Sequence, residues 1–397
     1  MEKNQYRKEP LKDNVEEMFI GPFGSSLKNE CFVDERNSYC MVYEQKHAIQ
    51  KTLAGKNRFV DRNKYQELKR FTVKPGDIIV SCRGTIGETF IIPENAPLGI
   101  MHPSIMKIRL KPNVYNIEYF NLLLKSRLES YNKSANGSGV KMAISATELG
   151  KDLFPIPPMD EQQKISRIFF IVEHLILLRK QQLAKMDELV KARFVEMFGD
   201  PVTNPKGYEK YKLENLARKI SDGVHSKPDY TETGRPFLSV VNINKGVINF
   251  KNCKYVSEDA YQKMIKSTHP ERGDVLYTKV GATYGIPAYV DTDIAFCLYV
   301  SVCLIKPKRE VINPRFLSLS MEMPYVKHQA DRRIKGIGVP DLHLNQISEF
   351  EILCPPLKEQ DIFIYFVERL DGEKRVVQQS LEKLELMKKA LMQEYFG

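Results

Sequence analysis

The chain has 397 residues, 42% hydrophobic and 28% charged, with a formal net charge of +10. That length is too great for one ordinary domain and suits two or three, and the composition is that of a soluble globular protein. The surplus of 60 basic over 50 acidic side chains fits either a well-solvated surface or a polyanionic partner, and charge alone does not choose.

The seven cysteines (Cys31, Cys40, Cys82, Cys253, Cys297, Cys303, Cys354) contain no CxxC pair. An odd number without such pairs reads as reduced, mostly buried thiols of a cytoplasmic protein. The opening Met1-Glu2-Lys3-Asn4-Gln5 lacks the apolar run of a secretory signal. The most apolar stretch, residues 165–178, is interrupted by Arg167, Glu173 and His174, which excludes a membrane-spanning helix.

Residues 1–154 read as a first globular module. Gly21-Pro22-Phe23-Gly24-Ser25-Ser26-Leu27-Lys28 loosely resembles a phosphate loop, but lacks the GxxxxGK[ST] spacing and a following helix. Val73 to Gly84 reads as a Gly-Asp turn, a short buried strand and a loop carrying Arg83. Thr85-Ile86-Gly87 follows, and residues 89–92 return as the second strand of a hairpin. Residues 117–128 form the clearest internal helix. A Gly-rich loop with Lys141 and a short helix over 146–149 close the module.

At residues 155–199 the pattern changes. Phe154-Pro155-Ile156-Pro157-Pro158-Met159-Asp160-Glu161-Gln162 opens a stretch, 163–197, with no Gly or Pro and many helix formers. Alternating steps of three and four give Phe169, Val172, Ile176, Arg179, Leu183, Met186, Val190, Arg193 and Met197, the stripe of a coiled-coil seam. A helix of that length is about 50 Å long. Gly199 ends it as a C′ residue, with Pro201 beyond.

Residues 200–353 read as a second module, entered through a connector at 200–208. Ser221-Asp222-Gly223-Val224-His225-Ser226-Lys227-Pro228 is a constrained polar turn. Glu271 to Gly281 repeats the Gly-Asp turn, strand and loop of module one, here with Lys279, and reaches Thr283-Tyr284-Gly285. Residues 287–290 return as a strand, and 314–323 form a helix. Arg332-Arg333-Ile334-Lys335-Gly336-Ile337-Gly338 is a basic Gly-containing loop, followed by a short helix from His343.

Residues 354–397 then repeat the helix. Ile352-Leu353-Cys354-Pro355-Pro356-Leu357-Lys358-Glu359-Gln360 matches the first Pro-Pro segment, and both helices end alike, in Met197-Phe198-Gly199 and Tyr395-Phe396-Gly397. The stripe recurs as Val367, Leu370, Lys374, Val377, Leu381, Leu384, Lys388, Leu391 and Tyr395. Each stripe needs a partner of similar length, so mutual pairing is expected. An antiparallel coiled coil with one module at each end accommodates the second module most simply. The expected fold class is therefore α/β: two mixed α/β domains related by an internal repeat and separated by two long helices.

Catalytic signals are sparse. There is no dinucleotide fingerprint, no Asn/Asp-Pro-Pro-aromatic motif of an amino-methyltransferase, and no histidine spacing for a metal. Pro228-Asp229 and Pro340-Asp341 lack the downstream Glu-x-Lys of a nuclease and read as turns. The loops are better suited to touch DNA. Small and basic groups on Gly-rich turns let backbone approach a phosphate while a cation reaches a base edge. The candidate contacts are Ser25, Ser26, Lys28, Arg83, Thr85 and Lys141 in module one. In module two they are His225, Ser226, Lys227, Lys279, Thr283, Tyr284, Arg332, Arg333, Lys335 and His343.

The chain as a whole resembles the specificity subunit of type I restriction–modification systems. The resemblance rests on the two modules, the two Pro-Pro-x-x-Glu-Gln helix starts and the connector Met197-Phe198-Gly199-Asp200-Pro201-Val202-Thr203-Asn204-Pro205-Lys206-Gly207-Tyr208. The loop 221–225 is also like the family's second-module opening. The resemblance implies two target-recognition domains that each read half of a split double-stranded DNA target, and helices that set the spacer. It implies no catalysis and no cofactor in this chain. Two modification subunits would bring S-adenosylmethionine, and restriction subunits would join them. Because Gly21 to Lys28 does not match the second module's opening, the two half-sites should differ. A stand-alone methyltransferase or nuclease, and a coiled-coil scaffold binding only proteins, are the alternatives. The first would methylate or cut DNA unaided, and the second would show no sequence preference.

Overall fold

The computed structural model describes residues 6–83, 85–135, 145–244, 246–334 and 338–397. The chain divides into two compact units, Met1–Arg179 with Ser380–Gly397, and Lys180–Gln379. Both are mixed α/β, and the same sheet is built in each.

In the first unit, strands Val15–Ile20, Ile105–Leu110, Ile78–Ser81 and Thr89–Ile91 lie side by side in that order, all antiparallel. The apolar run Ile78-Ile79-Val80 is buried throughout because both faces of this strand are covered. Ile78 and Val80 join Met106, Ile108, Phe120 and Phe154 on the helical side. Ile79 points the other way, to Met41, Tyr43 and Met101 of a second sheet. That sheet orders Arg58–Val60, Cys40–Tyr43, Gly99–Met101 and Thr72–Val73, with one parallel pair.

In the second unit the order is Ala217–Asp222, Val302–Pro307, Val275–Thr278 and Pro287–Tyr289. Val275 and Tyr277 face the helices, and Leu276 faces a smaller sheet that includes Arg235–Leu238. In both units the Gly-Asp turn closes on its own aspartate. Asp77 accepts from the Lys74 N–H at 2.7 Å, and Asp274 from that of Glu271 at 2.8 Å. The aspartates then hold strand cations, Arg109 and Lys306 respectively.

The long helices run Met159–Phe198 and Leu357–Phe396, 40 residues each, about 60 Å. They begin directly after the Pro-Pro pairs, where the sequence reading puts their first turns. They are antiparallel. Within the first unit, Glu173 pairs with Lys388 at 2.7 Å and Arg179 donates to Ser380 at 3.2 Å. Within the second, Asp187 pairs with Lys374 at 2.7 Å. Every stripe position is buried or half-buried. The four basic residues interrupting the stripes have partners. The fourth, Arg193, bonds Glu196 and lies over the Phe366 ring. Phe194, Phe198, Phe316 and Phe363 form an aromatic cluster at the end of the second unit's helix pair.

Three boundaries differ from the sequence reading. The first internal helix extends to Ala135, beyond residue 128. Pro324 starts a new helix, Pro324–Arg333, so Arg332 and Arg333 lie in its last turn and not in a loop. Proline is well suited to a first helical position, which is why two helices meet there. His343 is the N-cap of helix Leu344–Ser348 and not its first residue.

Candidate nucleic-acid interface

At one end of the first unit's main sheet, three chain segments emerge together. They follow Ile20, follow Ser81 and precede Ile105, strands that are paired neighbours. Gly21 donates its N–H to Ile105 O, and a Cβ there would fall 2.2 Å from His102 O, so only glycine permits this approach. The loop after Ser81 is closed by its hydroxyl. Ser81 Oγ donates to Thr85 O at 2.6 Å and accepts the Glu88 N–H at 2.9 Å. Arg83 and Thr85 are exposed on this loop, and Ser25 and Lys28 on the first, with Ser26 half-buried.

The second unit repeats the arrangement with other side chains. A Cβ on Gly223 would fall 2.3 Å from Leu298 O. Thr278 Oγ1 donates to Thr283 O and accepts the Ile286 N–H, both at 2.8 Å. His225, Ser226 and Lys227 are exposed after Gly223, and Thr283 is exposed on the hydroxyl-closed loop. A further segment joins them, since Gly281 donates to Pro340 O and Leu342 to Lys279 O. His343 is exposed beside it.

Three of the remaining candidates, Lys279, Tyr284 and Arg333, have internal partners. Lys279 is buried, with Nζ 3.2 Å from Asp222, so it ties the 223 loop to the 279 loop. Tyr284 donates to Asp331 at 2.6 Å beneath Lys327. Arg333 donates to Gln329 O and lies over Phe350, while Arg332 is exposed. Lys141 and Lys335 lie outside the described residues. The His47 imidazole is buried and that of His102 half-buried, and desolvation lowers the pKa of both.

Sequence reading missed what attaches module to helix. Gln162 and Gln360, read there only as part of a helix start, are 1% and 0% exposed. Gln162 Nε2 donates to Pro157 O and Val114 O, and its Oε1 accepts the Asn116 N–H. Gln360 does the same with Pro355, Val311 and Asn313. The adjacent Glu161 accepts from Tyr6, and Glu359 from Tyr208. The usable signal was that Glu-Gln recurs unchanged while flanking residues vary.

Among the described residues, no group of three or more His, Cys, Asp or Glu side chains could hold a metal ion. No helix there is long and apolar enough to cross a membrane.

A family model for the type I restriction modification DNA specificity domain matches the chain twice, over residues 32–188 and 205–386. The chain belongs to this family. It is a DNA specificity subunit of a type I restriction–modification system, the non-catalytic recognition subunit. The EcoBI specificity subunit of Escherichia coli is 24% identical over 356 residues, covering 82% of this chain and 74% of the relative. The MjaVIII specificity subunit of Methanocaldococcus jannaschii is 23% identical over 351 residues, covering 82% and 79%. The S subunit of a type I system from M. genitalium has the same fold, with TM-score 0.58 at 15% identity over 99% of this chain and 97% of that one. A chain from a structure concerned with assembly and conformational transition of a type I system gives 0.60 at 15% identity, covering 98% and 97%.

Proposed function

We propose that this specificity subunit reads a bipartite, asymmetric DNA target, one half with each module. The functional divisions are a target-recognition domain at 1–154, a spacer helix at 155–199, a second recognition domain at 200–353 and a second spacer helix at 354–397. The observation that supports this reading is that both main sheets end in the same hydroxyl-closed loop cluster, with different exposed side chains on each. One framework presenting two surfaces is what two unlike half-sites require.

In this reading Ser25, Ser26, Lys28, Arg83 and Thr85 face the first half-site, and His225, Ser226, Lys227, Thr283 and His343 the second. Exposed cations set the salt-dependent part of affinity, and hydroxyls and imidazole reach phosphates or base edges. Lys279, Tyr284 and Arg333 act through loop shape. Lys141, Arg332 and Lys335 stay candidate contacts on their sequence pattern, Arg332 as an exposed cation. Phe169, Val172, Ile176, Leu183, Met186 and Val190 form a seam with Val367, Leu370, Val377, Leu381, Leu384 and Leu391. That seam fixes the unread spacer. Two methyltransferase subunits carrying S-adenosylmethionine dock on the assembled subunit, restriction subunits join them, and the complex works in the cytoplasm.

The test is to exchange residues 1–154 for the corresponding module of another family member and map methylation genome-wide. One half of the methylated motif should change and the other stay. A change in both halves refutes the modular reading.

A further inference from the structure

We infer that Phe23 is a base-contacting residue of the first module, packing its ring against a base of the first half-site. This rests on the DNA-reading function proposed above and names a contact within it.

Phe23 is 87% exposed, the largest exposure among the large apolar side chains of the described residues. It is not on a loose segment. Gly21 is bonded to Ile105 O and seated against His102, and Pro22 is buried. Four residues on, Leu27 is buried among Cys40, Val42, Val60 and Ile100. Between these anchors the Ser26 N–H donates to Phe23 O at 2.9 Å and that of Leu27 to Gly24 O at 3.3 Å. A tight turn held at both ends therefore presents one aromatic ring to solvent. Burial is available on either side of it, and the fold does not use it for this ring.

The surroundings favour a nucleic-acid occupant. The turn emerges from the sheet end that also carries the Arg83 loop, and Lys28 is well exposed at its far side. Cations on both loops suit the phosphate backbone, and a rigid exposed aromatic on one of them suits an apolar contact with a thymine methyl in the major groove. The second unit has apolar tips at its own loop cluster, Val241 at 83% and Val339 at 73% exposure. The Val240 N–H donates to Ser301 Oγ, and Pro340 accepts from Gly281, which seats these tips by the 279 loop. An aromatic tip in one module and aliphatic tips in the other fit two different half-sites.

The experiment measures binding of the full chain, assembled with its methyltransferase subunits, to its mapped duplex and to a scrambled duplex over a salt series. Phe23→Ala should weaken specific binding about ten- to a hundred-fold and leave scrambled binding, the salt slope and the melting temperature unchanged. Phe23→Tyr should restore specific binding. In methylation mapping, F23A should relax only the first half of the motif. Equal loss on both duplexes, no loss, or a lowered melting temperature would each overturn the assignment. Failure of the unsubstituted complex to prefer any sequence would instead overturn the DNA-reading function itself.

Discussion

Replacing Gln162 with alanine should release the first module from its helix. The side chain makes three hydrogen bonds, at 2.8 Å to Pro157 O, 3.1 Å to Val114 O and 2.8 Å from the Asn116 N–H. Each contributes about 1 kcal/mol net, and the buried backbone partners left unpaired add to the loss. The expected cost is about 3 kcal/mol, or roughly 6–12 °C in the melting of the first unit. Gln162→Glu keeps an acceptor for Asn116 but sets a carboxylate oxygen against two carbonyls, so it should cost more than alanine. Calorimetry gives the magnitude. Hydrogen exchange gives the place, which should be strands Lys8–Pro10 and Leu153–Pro155, paired in register beside the glutamine. A loss below about 1 kcal/mol, or lost protection confined to the second unit, would refute the latch.

Two further outcomes follow from buried groups. Lys279→Ala leaves Asp222 without its buried cation and should destabilise the second unit by about 3 kcal/mol. The double substitution with Asp222→Asn should recover part of that loss, and chemical denaturation reads both. His47 is buried, and its Nδ1 accepts the Glu44 N–H at 3.0 Å while Nε2 meets Asn57 Oδ1 at 2.9 Å. Protonating Nδ1 would set two hydrogens face to face. Burial lowers the pKa from its usual 6.5, against the hydrogen bond to Asn57. The unfolded chain therefore takes up the proton first. Stability of the first unit is at full value above about pH 6.5 and falls as pH drops toward the folded value. Melting of the first unit across that range should become flatter in His47→Gln. An unchanged slope would show that this imidazole does not govern it.

The repeated architecture was legible because its signals are local. Pro-Pro pairs, a stripe of period 3.5 and the Gly-Asp turn each specify their own conformation within a few residues. The antiparallel course followed from a chain-length argument alone. The loop surface was harder to read. Lys279 and Lys227 are both basic residues in polar turns, yet the first is buried against Asp222 and the second exposed. What separates them is a partner 57 positions away, which no local pattern reports. Phe23 was passed over for the converse reason. An aromatic in a short loop is ordinarily taken for core, and only the anchors at Gly21 and Leu27 show that it cannot turn inward. The role of Gln162 also depends on backbone carbonyls from distant segments, which leave no composition signal.

The three-residue strands at the edges of each module carry a consequence for heredity. Lys8–Pro10 pairs with Leu153–Pro155, and Lys210–Lys212 with Glu351–Leu353, so each module begins and ends at a single clasp next to its Pro-Pro pair. The stretch between can change wherever it leaves the backbone contacts to Gln162 and Gln360 in place. A crossover between two genes at the repeated Pro-Pro codons would deliver a whole reading head to a foreign helix, ready to be fastened there. New address labels for a host genome could then arise in one recombination event, where point mutation would need many steps through broken intermediates.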